Sequence, residues 1–349
     1  MRFGLFIPQG WRLDLTEVAP ENHWGTMRSL LQHADTATTP TGAFAFESAW
    51  VYDHFHSVPA PTDQATHEAW TLMAAFAASS ERVRLGQMCT CMAYREPTYL
   101  AKVAATVDAI SGGRTEMGIG AGWYEHEWRA YGYGFPRAGE RLLALDEGVQ
   151  IMANMWRTGS SGTFAGKRYQ VDGALCYPQP RQTVPVDGED KPSIPLWIAG
   201  GGERKTLLTA AKYAQYTNFG GDLETFVHKS QVLRTHCDAI GRDFAEITRS
   251  ANFNVLIGSA KEIADKEAWL ASVYRKHTPQ KADAELEGWR STPLRGTPEQ
   301  ITETLAQFQA AGLAYTIGYF PNAAADRDQL DLFAREVVPA LSGTASPAR

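Results

Sequence analysis

Short apolar runs alternate with longer amphipathic stretches along most of the chain. The runs are four to nine residues long and rich in β-branched and aromatic residues, which is typical of buried parallel strands. They occupy residues 3–8, 49–52, 83–91, 115–119, 194–199, 216–219, 250–257 and 314–320. Eight such strands alternating with helices predict an α/β fold, a (β/α)8 TIM barrel.

The amphipathic stretches carry helix signals. Thr297 and Gln300 form a capping box, and Pro298 takes the first helical position. A helix is therefore predicted from Pro298 until Gly312 ends it. A second apolar stripe, which Gly112 and Gly113 stop, predicts a buried helix face made by Leu100, Val103, Val107 and Ile110.

Two segments interrupt the alternation. Residues 163–177 predict a hairpin around Gly166, and a proline-rich stretch follows before the fifth strand. Residues 274–295 separate the seventh strand from the last barrel helix. Long excursions in a compact domain are usually lids, binding loops or contact surfaces. The pattern leaves these functions and a passive surface loop both open.

Composition narrows the class of protein. The 349 residues are 44% apolar and 21% charged, as in ordinary globular chains. The length would allow two domains, but we predict one barrel domain over residues 1–341, with insertions at about 158–193 and 274–295 and a C-terminal tail at 342–349.

Charge and hydropathy exclude some functions. The 33 Lys and Arg against 39 Asp and Glu give a net charge of −6, which argues against nucleic-acid binding. The sequence contains no apolar run of membrane length and no signal peptide, so we expect a cytoplasmic protein without a membrane partner. Cys89 and Cys91 are spaced wrongly for a redox pair or a zinc site.

The active sites of TIM barrels lie at the C-terminal ends of the strands. The fifth strand runs directly into Ala199, Gly200, Gly201 and Gly202. Glu203, Arg204 and Lys205 are then expected to open a helix, and Arg204 and Lys205 add positive charge to the turn. Glycines let the backbone approach an oxyanion, and the start of the following helix supplies N–H donors. The turn therefore predicts a phosphate site, with a simple tight turn as the alternative.

The second strand ends at Asp53 and His54. A histidine at a barrel strand end can act as a general acid or base, or can donate a hydrogen bond to a ring. Alternatively, His54 and His56 bind a metal, or His54 only caps backbone groups. A metal-hydrolase barrel needs further His and Asp ligands at later strand ends, and none follows, so no metal is predicted.

Aromatic residues are concentrated after the fourth strand: Trp123, Tyr124, His126, Trp128 and Tyr131. Aromatic walls suit a planar ring ligand, although at least half of these side chains are expected to be structural. Arg141 and Glu147 lie six residues apart on the next helix. We expect them to form a buried ion pair rather than to act in catalysis.

Taken in order, these strand ends resemble the luciferase-like monooxygenase superfamily, and within it the branch of oxidoreductases that depend on the deazaflavin coenzyme F-420. The resemblance rests on the opening residues 2–9, on 50–55, 84–86, 95–97, 118–123, Glu127, 131–132, 139–141, 198–207 and 296–299. It spans nearly the whole chain, and relatives use either the deazaflavin or FMN.

The resemblance implies an enzyme that moves a hydride between coenzyme F-420 and a small organic substrate, hydrophobic or ring-bearing. A homodimer is expected, with a separate reductase that supplies reduced cofactor. The main alternative is an FMN-dependent monooxygenase that uses reduced flavin and dioxygen. A third possibility is a barrel that only binds flavin.

The resemblance also assigns roles to residues. The catalytic residues would be His54 and Asp53. The cofactor-binding residues would be Asp53, Met88, Cys89, Thr90, Gly120, Ala121, Gly122, His126, Ala199, Gly200, Gly201 and Gly202, and a non-prolyl cis peptide would join Met88 to Cys89. Trp123 stands where the sugar-phosphate dehydrogenases of this branch carry a glutamic acid, so we do not expect a sugar phosphate as substrate.

Overall fold

A closed barrel of parallel strands forms the centre of the computed structural model, which describes residues 1–186 and 188–342. The strands of these residues are β1 (Arg2–Phe6), β2 (Ser48–Val51), β3 (Arg84–Gln87), β4 (Thr90–Cys91), β5 (Thr115–Gly120), β6 (Thr163–Ala165), β7 (Gln170–Asp172), β8 (Thr183–Val186), β9 (Glu189–Pro192), β10 (Leu196–Ala199), β11 (Tyr216–Asn218), β12 (Thr248–Ile257), β13 (Leu294–Gly296) and β14 (Tyr315–Tyr319).

The barrel order is β10, β11, β12, β14, β1, β2, β3 and β5, and β10 pairs with β5 to close the sheet. Each of these eight strands coincides with one of the eight apolar runs, so the predicted TIM barrel is confirmed. The short β4 and β13 pair with β5 and β12.

The helices lie between the strands. They are α1 (His23–Thr36), α2 (Ala69–Ser79), α3 (Pro97–Ser111), α4 (Glu125–Ala130), α5 (Ala138–Thr158), α6 (Thr206–Tyr213), α7 (Leu223–Ile240), α8 (Ala260–His277), α9 (Ala282–Arg290), α10 (Pro298–Ala310), α11 (Asp328–Leu332) and α12 (Val338–Leu341). Short 3-10 turns occupy Pro20–Asn22, Met92–Tyr94 and Phe244–Glu246, and a π-helical turn occupies Phe333–Val337.

The chain divides into two compact units. Unit 1 comprises Met1–His67, Gly220–Val227 and the chain from Arg249 onward, and unit 2 comprises Glu68–Phe219 and His228–Thr248. In unit 1, β1 lies between β14 and β2. In unit 2, β5 lies between β3 and β10. Each unit has its own buried apolar core.

Two helix predictions have different outcomes. The capping box of α10 is confirmed, because the Thr297 side chain accepts a hydrogen bond from the backbone N–H of Gln300, and Oε1 of Gln300 accepts one from the backbone N–H of Thr297. The predicted buried face of α3 is partly wrong, since Ile110 is 50% exposed. Small residues such as Ala101 and Ala104 form that face instead, which lets α3 pack closely in unit 2.

The first insertion contains two hairpins. β6 and β7 form the predicted one, with the turn at Gly166. The second pairs β8 with β9 and was not expected from the proline-rich sequence. The hairpin β6–β7 is held to α5 by the Glu147 carboxylate, which accepts hydrogen bonds of 2.9 Å from the backbone N–H groups of Lys167, Arg168 and Tyr169.

The predicted pair between Arg141 and Glu147 is therefore wrong. The Arg141 guanidinium donates to the carbonyl oxygens of Gly122 and Pro136, at 3.3 and 2.5 Å, and its carbon lies 4.1 Å from the centroid of the Phe135 ring. Burial alone would raise the pKa of Glu147, but the three backbone N–H donors outweigh burial and lower it.

The second insertion, residues 274–295, is mostly helical and lies within unit 1. It contains the end of α8, all of α9 and the start of β13. Its side chains Tyr274, Leu286 and Trp289 are buried. Most of the C-terminal tail predicted at 342–349 lies outside the described residues.

The described residues contain neither a membrane-spanning helix nor a group of side chains that could bind a metal ion. Within residues 1–186 and 188–342, no helix is both long and apolar enough to span a bilayer. In the same part of the chain, no three His, Cys, Asp or Glu side chains are grouped so that they could hold a metal ion.

Candidate active site

In unit 2, β5 faces the segment that joins β3 to β4. The peptide bond between Met88 and Cys89 is cis, so this prediction is confirmed. A Cβ atom built on Gly118 would lie 1.9 Å from the carbonyl oxygen of Gln87, and one built on Gly120 would lie 2.7 Å from the Cys89 Sγ.

Gly122 continues the pattern, because its Cβ would lie 2.5 Å from the Cys91 Sγ. Glycine at alternate positions 118, 120 and 122 therefore leaves the C-terminal half of one face of β5, and its continuation to Gly122, without side chains, and the neighbouring segment fills that space. This packing accounts for two of the predicted cofactor-binding glycines, Gly120 and Gly122. The predicted Ala121 lies between them.

Thr90 lies in the interior of the same unit. Its hydroxyl donates a 2.9 Å hydrogen bond to Oε1 of Gln87, and both residues are fully buried. The Nε2 atom of Gln87 is buried and has no hydrogen-bond partner among the described residues. Cys89 is the only one of the four cysteines in the described chain that is partly exposed.

The turn after β10 is open. Gly200 and Gly202 are exposed, and Gly200 has a φ of +112°, a conformation that favours glycine. The N–H of Gly200 donates to the carbonyl of Asn218, whereas in the described chain no backbone acceptor takes the N–H of Gly201 or Gly202. These two donors are available to a ligand.

A cation that sequence reasoning missed lies beside this turn. Lys229 of α7 passes over Gly201, and its Cε would lie 3.4 Å from a Cβ at that position. Its Nζ donates a 2.5 Å hydrogen bond to Oε1 of Glu203, which also bonds Nε2 of His228 at 3.0 Å. These two hydrogen-bonding side chains are the main causes that lower the pKa of Glu203.

The two predicted cations are placed differently. Arg204 and Lys205 were expected to open the helix after the glycine turn, but α6 begins at Thr206. Lys205 points its Nζ at the carbonyl oxygen of Gly139, at 3.5 Å. The N–H of Leu207 donates to the carbonyl of Gly202, which ties the turn to the helix. The Gly201 and Gly202 N–H groups and the Lys229 side chain therefore lie side by side at this turn.

In unit 1, Asp53 and His54 follow β2 and are both buried. The preceding residue, Tyr52, is fixed by Gln9, whose side chain donates to the Tyr52 carbonyl at 2.9 Å and accepts from its N–H at 2.5 Å. The His54 ring stacks on Trp11, with centroids 4.4 Å apart and planes 3° apart. These contacts hold the His54 ring in one orientation.

A buried polar cluster follows β1 in the same unit, and the sequence reading missed it. The Arg12 guanidinium donates a 2.6 Å hydrogen bond to Oδ1 of Asn254 and lies over the rings of Tyr319 and Trp289. Asp14 accepts from the Tyr319 hydroxyl at 2.7 Å. Burial raises the pKa of Asp14 despite that bond.

The aromatic cluster after β5 is mixed, and fewer of its five side chains are buried than the sequence predicts. Trp128 and Tyr124 are buried, whereas Trp123 and Tyr131 are more than half exposed. Burial raises the pKa of Tyr124 to about 12. His126, a predicted cofactor ligand, is exposed on α4, with its ring 6.1 Å from that of Tyr124.

The chain matches the family model described as luciferase-like monooxygenase over residues 1–315. It therefore belongs to the luciferase-like monooxygenase family, whose members are enzymes, and the resemblance seen in the sequence is confirmed. Pyrimidine monooxygenase RutA of Serratia proteamaculans (strain 568) is 27% identical over 256 residues, which are 70% of this chain and 64% of that protein.

A second relative is named as an F420-dependent enzyme. F420-dependent glucose-6-phosphate dehydrogenase of Amycolatopsis mediterranei (strain U-32) is 32% identical over 171 residues, 48% of this chain and 46% of that protein. The chain spans less than two thirds of the length of either relative. Membership of the family makes it a luciferase-like oxidoreductase or monooxygenase.

The fold has a close solved counterpart. The structure of an F420-dependent secondary alcohol dehydrogenase in complex with an F420-acetone adduct superimposes with a TM-score of 0.74. The sequence identity is 18%, and the match covers 98% of this chain and 99% of that chain. At this identity the likeness establishes the fold alone.

Proposed function

We propose that this enzyme transfers a hydride between coenzyme F-420 and a small organic substrate that is hydrophobic or ring-bearing. The observation that carries the proposal is the open glycine turn of unit 2 with the Lys229 ammonium beside it. A phosphate ester needs N–H donors and a nearby cation, and this turn offers both. The motifs that resemble the F-420 branch favour the deazaflavin over FMN.

The residues of the turn fit a phosphate group chemically. Gly201 and Gly202 leave N–H donors without backbone acceptors in the described chain, and the absence of a Cβ leaves room for an oxyanion. Lys229 would supply the charge. The Lys229 ammonium forms an ion pair with the Glu203 carboxylate. Binding of a phosphate would therefore make Lys229 exchange one anionic partner for another.

When bound, coenzyme F-420 supplies or takes up a hydride at carbon 5 of its ring. In this proposal His54 of unit 1 donates or accepts the proton that the substrate gains or loses in the same reaction. An imidazole suits that role because it can exchange protons near neutral pH. Asp53 is proposed to act beside His54 and to be one of the cofactor-binding residues.

The substrate proposal excludes sugar phosphates. Trp123 occupies the position of the acidic residue in the related sugar-phosphate dehydrogenases, and an indole cannot transfer that proton. It is 60% exposed and stacks on Tyr124, with ring centroids 5.2 Å apart. An exposed aromatic surface of this kind suits a hydrophobic or ring-bearing compound.

The proposal extends to assembly and supply. We propose a cytoplasmic homodimer that receives reduced cofactor from a separate reductase. Light scattering coupled to size-exclusion chromatography measures the first point directly. A mass of one chain, 38.4 kDa, at micromolar concentration would contradict the dimer.

A second candidate function has its own support. The relative named pyrimidine monooxygenase RutA favours an FMN-dependent monooxygenase, which would consume reduced flavin and dioxygen. The glycine turn and Lys229 would suit the FMN phosphate equally well. The choice between F-420 and FMN therefore requires a measurement of the binding affinity of each.

Titration of the purified protein with F-420 and with FMN, followed by tryptophan fluorescence, tests the proposal. Ten tryptophans make quenching by a bound ring readily measurable. We expect tighter binding of F-420. Tight binding of FMN with no binding of F-420 would overturn the deazaflavin proposal in favour of the monooxygenase.

His54 is tested separately from the cofactor. In His54→Gln the affinity for F-420 should remain unchanged, while oxidation of reduced F-420 by a panel of hydrophobic carbonyl compounds should slow about 100- to 10,000-fold. Full turnover in this variant would show that His54 is not catalytic, even if the cofactor is correct.

A further inference from the structure

The second insertion contacts a residue next to the ring that stacks on His54. Trp289 of α9 is 1% exposed and presents its ring to the Arg12 guanidinium, with 4.9 Å between the guanidinium carbon and the ring centroid. Arg12 directly follows Trp11. Trp289 thus contacts Arg12, and the chain neighbour of Arg12, Trp11, stacks on His54. All four residues lie within unit 1.

The backbone of this turn is tightly constrained. Gly10 has a φ of +96°, and its N–H donates to Oδ1 of Asp14 at 2.6 Å. The carbonyl of Trp11 accepts from the N–H of Val58 at 2.8 Å, which ties the turn to the loop that carries His54. The two loops therefore share backbone contacts as well as the stacked rings.

The Trp11 ring, in contrast, has no polar anchor. Its Nε1 is buried and finds no hydrogen-bond acceptor among the described residues. The ring is therefore held by packing against His54 and against Tyr52, whose centroid lies 4.0 Å away, and by the backbone that links it to Arg12. Arg12 is well fixed, since Asn254 accepts its hydrogen bond and two aromatic rings cover it.

We propose that Trp289 and Arg12 are positioning residues, through which the insertion 274–295 holds the Trp11 and His54 rings in place. The insertion is then neither a lid nor a passive loop, because one of its buried side chains supports the candidate active site. This inference rests on the proposed function only for the role of His54. The arrangement of the Trp11 and His54 rings can be tested without an activity assay.

The experiment measures how fast diethyl pyrocarbonate modifies His54, with peptide mass spectrometry to resolve each histidine. The neighbouring His56, which is partly exposed, is the internal reference. In Trp289→Leu we expect His54 to be modified about 2- to 30-fold faster than in the wild type. That factor corresponds to the loss of one cation–π contact of about 0.5 to 2 kcal/mol.

Three variants complete the test. Trp289→Phe should restore protection of His54 because it keeps an aromatic face for Arg12. Phe308→Leu is the matched control, since Phe308 is equally buried in unit 1 but packs on Phe226 and Phe253. It should leave the ratio of His54 to His56 modification unchanged. If Trp289→Leu does not fold, Arg12→Met tests the same contact.

The outcomes separate this inference from the proposed function. An unchanged His54 ratio in both Trp289→Leu and Arg12→Met overturns the inference, whatever the activity. An equal rise in Phe308→Leu also overturns it, because the effect would then be general loosening of unit 1. Full turnover of His54→Gln would overturn only the catalytic role of His54. The positioning role of Trp289 and Arg12 would still be tested by the rate at which His54 is modified.

Discussion

The Glu147 carboxylate holds a hairpin through three backbone hydrogen bonds, and its replacement by glutamine gives a sharp test. One carboxylate oxygen accepts from Arg168 and Tyr169, and the other accepts from Lys167. In Glu147→Gln an NH2 group replaces one carboxylate oxygen, and this group cannot accept a hydrogen bond. At least one hydrogen bond to a charged group is then lost, and the others become neutral, for a total cost of about 2 to 4 kcal/mol.

Limited proteolysis measures this destabilisation at the hairpin itself, because trypsin cleaves after Lys167 and Arg168. If cleavage follows the population of the detached hairpin, 2 to 4 kcal/mol corresponds to about 30-fold up to several hundred-fold faster cleavage at these two sites. Glu140→Gln, on the exposed first turn of the same helix, is the matched control. Cleavage of Glu147→Gln at the wild-type rate would refute the reasoning.

The same interaction has a defined pH dependence. The pKa of Glu147 is lowered from its ordinary value of 4.5 in the folded protein. Its contribution to stability is therefore complete above the unfolded-state pKa and is lost as the pH falls through the folded-state pKa. Urea denaturation should separate wild type from Glu147→Gln at pH 7, and the difference should shrink in acid. A constant difference would contradict this assignment.

Three further changes have expected outcomes. Lys229→Met should weaken binding of the phosphate-bearing cofactor about 10-fold or more in a fluorescence titration, because it removes a charge-assisted hydrogen bond; unchanged affinity would exclude Lys229 from the site. Thr297→Ala should lower the free energy of unfolding by about 1 kcal/mol in urea, through loss of the α10 cap; a neutral result would show that the cap is not stabilising. Gly118→Ala should give little folded protein by circular dichroism, since its Cβ would overlap the Gln87 carbonyl, and normal expression and melting would contradict the packing argument.

The barrel could be predicted from the sequence because eight short runs rich in apolar, β-branched or aromatic residues alternate with helical stretches. Those signals are local, and so is the capping box at Thr297. The buried face of α3 was harder to predict, because close helix packing selects Ala101 and Ala104 rather than the larger Ile110. The second hairpin did have a local signal, namely the Asp-Gly pair at 187–188 beside Val186.

The candidate site was less predictable where it depends on contacts distant in sequence. Lys229 lies 28 residues after Gly201 (229 − 201), and nothing near it marks an anion site. Arg12 and Trp289 are 277 residues apart in the sequence (289 − 12). Asp53, His54 and the glycine turn could be found because they lie at strand ends, where barrel topology itself predicts function.

The three glycines at positions 118, 120 and 122 are unequal targets for protein engineering. Gly118 meets a backbone carbonyl, so no change of a neighbouring side chain can make room there. Gly120 meets the Cys89 Sγ, and a library that varies positions 89 and 120 together can therefore reach variants that single-site scanning would discard. Gly122 combines contacts to Cys91 and Trp128 with a φ of +78°, so it would need more than one compensating change. Which substitutions this barrel accepts at these positions thus depends on which neighbouring residues are changed with them.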